Sequence, residues 1–88
     1  MQEKELIRKF QNSEREAFDH IFREFYRNIL IFSQNFIHDE DICKDIVQES
    51  FIKLWNKRKD FNSSKSIKSF LYTISRNACL NYLRDHKK

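Results

Sequence analysis

The stretch Asp45-Ile46-Val47-Gln48-Glu49-Ser50-Phe51-Ile52-Lys53-Leu54-Trp55 decides how this chain folds. Its apolar residues recur at three and four positions, the period of an α-helix with one buried face. The side that would face a core carries Cys43, Ile46, Val47, Ser50, Phe51 and Leu54. The opposite side carries Asp41, Asp45, Gln48, Glu49 and one branched hydrophobe, Ile52. A single exposed apolar residue is ordinary, but one ringed by carboxylates and an amide also suits a docking surface, so both interpretations stay open here.

The composition indicates the fold class. Glycine and proline are both absent from the 88 residues. Tight hairpin turns favour Gly or Asn-Gly, and helix interiors exclude Gly and Pro, so this composition is typical of an all-α chain. Nine Phe, three Tyr and one Trp supply bulky material for the core of one small domain. We therefore expect a compact bundle of three to four helices.

The expected helix boundaries follow from the apolar spacing and its polar interruptions. Residues 2–11 form a short amphipathic segment, and the sequence 13–16 predicts a capping box that starts a second helix. That helix, or two nearly collinear helices, reaches residue 37, and Asp39 is the expected N-cap of a third that runs to about residue 59. Residues 60–66 form a loop, and Ser66 is the expected N-cap of a last helix ending at about residue 86.

The sequence offers little for catalysis or for metal and cofactor binding. A Gly-rich phosphate loop is impossible without Gly, and the three histidines are scattered without metal-ligand spacing. The acidic residues 39–41 do not fit a calcium-binding loop. Cys43 and Cys79 lack Cys-x-x-Cys neighbours, so we expect buried, reduced filler. The chain is expected to be neither an enzyme nor a metal or cofactor binder.

No leader pattern and no apolar run of about 18 residues is present in the sequence. We therefore expect no membrane insertion, and a cytoplasmic location.

Charge is distributed unevenly along the chain, whose formal net charge is +4. Residues 1–52 hold seven Lys or Arg and eleven Asp or Glu, whereas residues 53–88 hold ten and two. An acidic docking candidate and a basic last third predict two partners of different charge, one of them a polyanion.

The basic residues surround the predicted loop, with aromatic and amide side chains among them. Lysines bind phosphates with release of counterions, exposed aromatics such as Phe61 and Tyr72 suit unstacked bases, and Asn reads base edges. Single-stranded nucleic acid is therefore a candidate ligand. The alternative is that Phe61 closes the core and the lysines only keep the chain soluble.

Two runs together resemble a known family. The first is Asp45-x-x-Gln48-Glu49-x-Phe51-x-x-x-Trp55, and the second is Ser69-Phe70-Leu71-Tyr72-x-Ile74-x-Arg76-Asn77-x-x-x-Asn81-Tyr82-Leu83-Arg84. This combination resembles region two of bacterial RNA polymerase sigma factors, and more narrowly the extracytoplasmic-function (ECF) group. The resemblance covers nearly the whole chain and implies a role in transcription initiation.

The resemblance also implies partners and site residues. The residues implied to bind the clamp helices of the polymerase β′ subunit are Asp45, Gln48, Glu49 and Ile52. The loop around Phe61 and Asn62 would receive a flipped-out base of the minus-ten promoter element, and the last helix would contact that element. The full set expected to bind DNA is Lys57, Arg58, Phe61, Asn62, Lys65, Lys68, Tyr72, Arg76, Asn77, Asn81 and Arg84. An anti-sigma factor would normally cover these same faces.

The chain departs from the family pattern in its turns, where members usually carry Gly-Asp near Asn12-Ser13. A complete factor of this group also needs a helix-turn-helix domain, so we expect residues 1–88 to be one region-two domain of a longer protein. The alternative function is a helical adaptor that docks a basic partner through the acidic side of residues 45–52 and never touches DNA.

Overall fold

The computed structural model describes residues 1–86, and its backbone is helical almost throughout. In chain order the elements are α1 (Glu3–Gln11), α2 (Arg15–Gln34), α3 (Glu40–Asn56), a 3-10 turn (Arg58–Asp60) and α4 (Ser64–Asp85). Residues 1–86 contain no strand. The prediction of an all-α bundle is confirmed, with four helices in the described part of the chain.

The core lies where α2, α3 and α4 pack against one another, and α1 packs on α2 and on the 3-10 turn. Its fully buried large side chains come from every helix: Phe10, Ile21, Ile29, Val47, Phe51, Leu54, Ile67 and Leu71. Aromatic rings close the α2–α3 side, with Phe18 edge-on to Trp55 at 5.2 Å between centroids and Phe22 tilted against Phe51 at 4.8 Å. Such pairs add to the stabilisation from burial.

A smaller core cluster holds the two cysteines. Cys43 on α3 and Cys79 on α4 are fully buried, and the Cys43 thiol donates a hydrogen bond to the Ile37 carbonyl at 3.1 Å. Burial raises the pKa of both thiols, so both stay protonated at neutral pH. The prediction that they are buried, unbridged filler is confirmed.

Two buried serines join α3 to α4 at the centre of the bundle. The Ser75 hydroxyl donates to the Ser50 hydroxyl at 2.9 Å, and the Ser50 hydroxyl donates to the Ile46 carbonyl at 2.8 Å. Small side chains let the two helices approach closely, and the bonds satisfy polar groups that water does not reach. This bridge fixes how the surface of α3 is placed relative to that of α4.

The start of α2 differs from the prediction because Ser13 belongs to the end of α1. Ser13 has φ 67°, its N–H bonds to the Phe10 carbonyl, and the Glu14 N–H bonds to the Lys9 carbonyl, both at 3.0 Å. This pair of bonds is the Schellman motif that ends many helices, usually with Gly at the position that Ser13 occupies. The N-cap of α2 is Glu14, whose side chain makes no capping bond, so the predicted capping box is wrong.

The ends of the other helices also shift. Asp39 is confirmed as the N-cap of α3, since its Oδ1 accepts from the N–H groups of Asp41 and Ile42 at 3.0 and 3.2 Å. The N-cap of α4 is Ser63 and not Ser66, because the Ser63 hydroxyl accepts from the Ser66 N–H at 3.1 Å. The loop before α4 is therefore shorter than predicted and consists of residues 61–63. The second helix is continuous and ends at Gln34, and the third ends at Asn56.

Candidate functional site

The acidic face, which we define as Asp41, Asp45, Gln48, Glu49 and Ile52, lies along the solvent side of α3. All five side chains are exposed, and Ile52 keeps 49% of its surface accessible. Their spacing of three and four residues places them together on one side of the helix, as predicted. Among residues 1–86, neither Asp45 nor Glu49 takes part in an ion pair. Their carboxylates are open to a cationic partner.

A groove between α2 and α3 borders this face, and sequence reasoning missed it. One hollow of about 370 Å³ is lined by Ser13, Arg15, Phe18, Asp19, Ile52 and Trp55. A second, of about 420 Å³, is lined by Phe22, Tyr26, Asp41, Lys44, Asp45 and Gln48. Phe18, Phe22 and Tyr26 pack against the core but are only half-buried, so each also contributes to the surface. Ile52 is thus continuous with an apolar groove and is not an isolated hydrophobe.

The basic side chains before and inside the start of α4 divide into free and engaged groups. Lys57, Lys65 and Lys68 are exposed. Arg58 lies with its guanidinium 4.4 Å from the centroid of the Trp55 ring, and it donates from Nη1 to the Trp55 carbonyl at 2.9 Å. Its Nε donates to the Ser13 hydroxyl at 2.6 Å. Arg58 therefore ties the 3-10 turn to the body of the bundle, a role that the sequence did not indicate.

Phe61 is buried, which corrects the expectation of an aromatic free to stack on bases. Only 7% of its surface is exposed, and its ring meets Phe70 edge-on at 5.1 Å between centroids. The alternative stated from the sequence, that Phe61 closes the core, describes its place in this structure. The next residue, Asn62, is exposed, so Phe61 anchors the loop while Asn62 presents its amide to solvent.

The predicted residues on α4 form two rows. Asn77 and Asn81, one turn apart, are exposed on one row. Tyr72 and Arg76 form the other row. At 100° per residue, Tyr72 and Asn77 lie about 140° apart around the helix axis. Tyr72 is half-buried because its ring contacts Phe32 edge-on at 4.9 Å. A single nucleic-acid strand that contacts both rows would have to cross the exposed side of α4 between them.

Arg84 lies on that exposed side near the end of α4, between the two rows. Its Nε lies 3.2 Å from Asp85 Oδ1 in an exposed ion pair. Exposed pairs of this kind contribute between 0 and about 1 kcal/mol, so this contact does not prevent Arg84 from binding a phosphate.

A family model described as sigma-70 region 2 matches residues 21–88. The chain belongs to the sigma-70 region 2 family. Among similar proteins, the RNA polymerase sigma-H factor of Pseudomonas aeruginosa is 29% identical over 82 residues, which cover 93% of this chain and 42% of that protein. The RNA polymerase sigma factor YlaC of Bacillus subtilis is 30% identical over 70 residues, covering 80% and 40% respectively. The ECF RNA polymerase sigma factor SigM of Bacillus subtilis is 29% identical over 70 residues, covering 80% and 42%.

These sigma factor relatives confirm the resemblance drawn from the two sequence runs. The chain spans about two fifths of the length of the curated relatives that it matches. No solved structure matches it. Sigma factors are transcription initiation factors without enzymatic activity, which confirms the expectation that the chain is not an enzyme. Within residues 1–86, no helix is long and apolar enough to cross a membrane.

Proposed function

We propose that this chain is the region-two module of an ECF sigma factor. In this role it binds the β′ clamp helices of RNA polymerase through the acidic face and recognises and helps open the minus-ten promoter element through the basic segment and α4. An anti-sigma factor that covers these faces would hold it inactive. The observation that carries the proposal is the placement of an acidic, partly apolar surface on α3 next to a basic, amide-bearing surface that begins where α3 ends.

The polymerase contact is supported by the chemistry of the acidic face and its groove. Asp45 and Glu49 have carboxylates without internal ion-pair partners in the described chain, so arginines of a clamp helix can pair with them. Exposed ion pairs contribute between 0 and about 1 kcal/mol each. Burying the free half of Ile52 contributes a similar amount, at about 25 cal/mol per Å² of apolar surface. Ile52 and the carboxylates therefore contribute similar amounts to affinity, and the carboxylates also select a cationic partner.

The DNA contact is supported by the residues that remain exposed after the fold is formed. Lys57, Lys65 and Lys68 can neutralise phosphates, and the amides of Asn77 and Asn81 can read base edges. Opening DNA at this surface is a binding event and not catalysis. Flipping a base costs a few kcal/mol of unstacking, which contacts with the exposed strand offset.

Binding of single-stranded DNA tests the proposal directly. The protein, alone and with polymerase core, is titrated into fluorescent single-stranded oligonucleotides that carry candidate minus-ten sequences, at several salt concentrations. We expect affinity that falls as salt rises and falls again in Asn77→Ala. Absence of binding under both conditions would reject the DNA-binding role. The acidic face and its groove would then favour the second candidate, a helical adaptor for a basic protein.

A further inference from the structure

Helix α1 holds the loop of residues 61–63 and the first residue of α4 through side-chain hydrogen bonds from both of its ends. From its C-terminal end, Gln11 Nε2 donates to the Phe61 carbonyl at 2.6 Å and to Asn62 Oδ1 at 3.3 Å. From its N-terminal end, a Glu3 carboxylate oxygen accepts from the Ser64 N–H at 3.3 Å. These bonds join residues 50, 51 and 61 positions apart in sequence. The matched family segment starts at residue 21, so all of α1 lies outside it.

Each bond meets a specific need of the loop. Ser64 is the first residue of α4, and its N–H has no partner within the helix, so the Glu3 carboxylate satisfies it and also faces the positive end of α4. The Phe61 carbonyl points out of a short loop whose ring is already buried, and Gln11 gives that carbonyl a partly buried donor. The backbone and the ring of Phe61 are therefore held by different contacts.

The bond between Gln11 and Asn62 decides which hydrogen-bonding groups Asn62 can offer. An Asn amide has an oxygen that accepts and an NH₂ group that donates. Because Gln11 donates to Oδ1, the oxygen of Asn62 is turned toward α1. The NH₂ group then points away from α1, into solvent, where Asn62 is exposed. The amide is oriented before any ligand arrives.

We propose that Gln11 is a positioning residue that orients Asn62, so that the loop prefers a DNA base whose free edge presents acceptor atoms. This inference rests on the proposed function, since it concerns which base the loop accepts from an opened strand. Gln11 itself does not touch the base. Without the Gln11 donor, the Asn62 amide can rotate and offer its oxygen as well. The loop should then bind bases that present donor atoms and bases that present acceptor atoms with similar affinity.

The first experiment measures base preference. Short single-stranded DNA is selected from a random pool by binding to the wild-type protein, and each position is then varied through the four bases. We expect one position at which the preference for an acceptor edge falls about fivefold or more in Gln11→Met, the loss expected for one hydrogen bond. Gln11→Lys, which restores a donor, should recover the preference even though its charge raises overall affinity. Gln34→Met, a change of the same type at the far end of α2, should leave it unchanged.

The second experiment does not depend on DNA. In isotope-labelled free protein, nitrogen relaxation of the Asn62 side-chain amide should give a high order parameter in the wild type and in Gln11→Lys, because the hydrogen bond restricts rotation of the side chain. In Gln11→Met the order parameter should fall to that of a freely rotating side chain. A low order parameter in the wild type, or no fall in Gln11→Met, would overturn the positioning role.

The two experiments separate the failure of this inference from that of the proposed function. If the wild type binds no DNA alone or with polymerase core, the proposed function fails and the base preference fails with it. If the wild type binds but Gln11→Met keeps the same preference, only the role of Gln11 fails.

Discussion

Replacing Ile52 by Asp tests the proposed polymerase-binding surface at its exposed apolar residue. Ile52 leaves 49% of its surface exposed in the free protein. Complete burial of such a side chain stabilises by about 1.5–3 kcal/mol, so the exposed half can contribute about 1 kcal/mol when a partner covers it. Ile52→Ala should therefore weaken binding about fivefold. Ile52→Asp also leaves a charge without a partner in a desolvated contact, which adds at least about 1–3 kcal/mol.

The total for Ile52→Asp is about 2–4 kcal/mol, a loss of affinity of about 30-fold to 1,000-fold. The assay is calorimetric titration with a fragment that contains the β′ clamp helices. Gln48→Ala, on the same face, should weaken binding by a smaller factor. The matched control is Ile31→Asp, since Ile31 is 50% exposed on α2 and lies outside the groove and the acidic face.

Two results would refute the reasoning. Equal losses in Ile52→Asp and Ile31→Asp would indicate a general effect of charge or stability and not a docking surface. Unchanged affinity in both Ile52→Asp and Gln48→Ala would place the contact elsewhere. Urea unfolding of each variant serves as the control for folding, and we expect only small changes because half of Ile52 is already in water.

Three further outcomes are expected. Ser50→Ala should destabilise the protein by about 1–3 kcal/mol, because it leaves the buried Ser75 hydroxyl without its acceptor, whereas Ser75→Ala should cost about 0.5–1.5 kcal/mol. Urea unfolding of both single variants and of the double variant should show that the two losses of stability are not additive. Burial raises the pKa of the thiols of Cys43 and Cys79, so both should resist alkylation at neutral pH and should react together when the protein unfolds. Mass spectrometry of labelled protein measures this, and rapid labelling of the folded chain would contradict it. Lys65→Ala should weaken DNA binding similarly for all sequences and reduce the slope of log affinity against log salt by about 1, and an unchanged slope would remove Lys65 from the phosphate contacts.

Local patterns allowed the helices and their faces to be predicted, because periodicity and the absence of Gly and Pro act within a few residues of the chain. The failures occurred where distant residues decide. Ser63, Ser64 and Ser66 can each cap a helix, and the choice of Ser63 accompanies the contact between Glu3 and Ser64. The sequence left Phe61 open between an exposed position and one that closes the core, because its partner, Phe70, belongs to the next helix.

Ser13 shows the same limit for a turn. A Ser followed by Glu three residues later is a common start of a helix, yet here Ser13 adopts the left-handed conformation that ends α1. A non-Gly residue in that region is uncommon and carries an energetic cost. Arg58, 45 positions further along the chain, donates a hydrogen bond to the Ser13 hydroxyl, and this bond offsets part of the cost. No pattern confined to the neighbourhood of Ser13 contains that information.

The two proposed surfaces share side chains, which determines how their contributions can be measured. Trp55 and Ser13 line the groove beside Ile52, and both also hold Arg58, whose turn leads into the loop that carries Asn62. A change at Trp55 therefore perturbs both surfaces at once, and its effect on polymerase binding is not separable from its effect on DNA binding. Ile52 and Gln11 share no partner. In a double-mutant cycle, Ile52→Asp and Gln11→Met should therefore have additive effects on the free energy with which the protein and polymerase core together bind single-stranded DNA. Strong coupling between them would mean that the groove and the loop act as one unit.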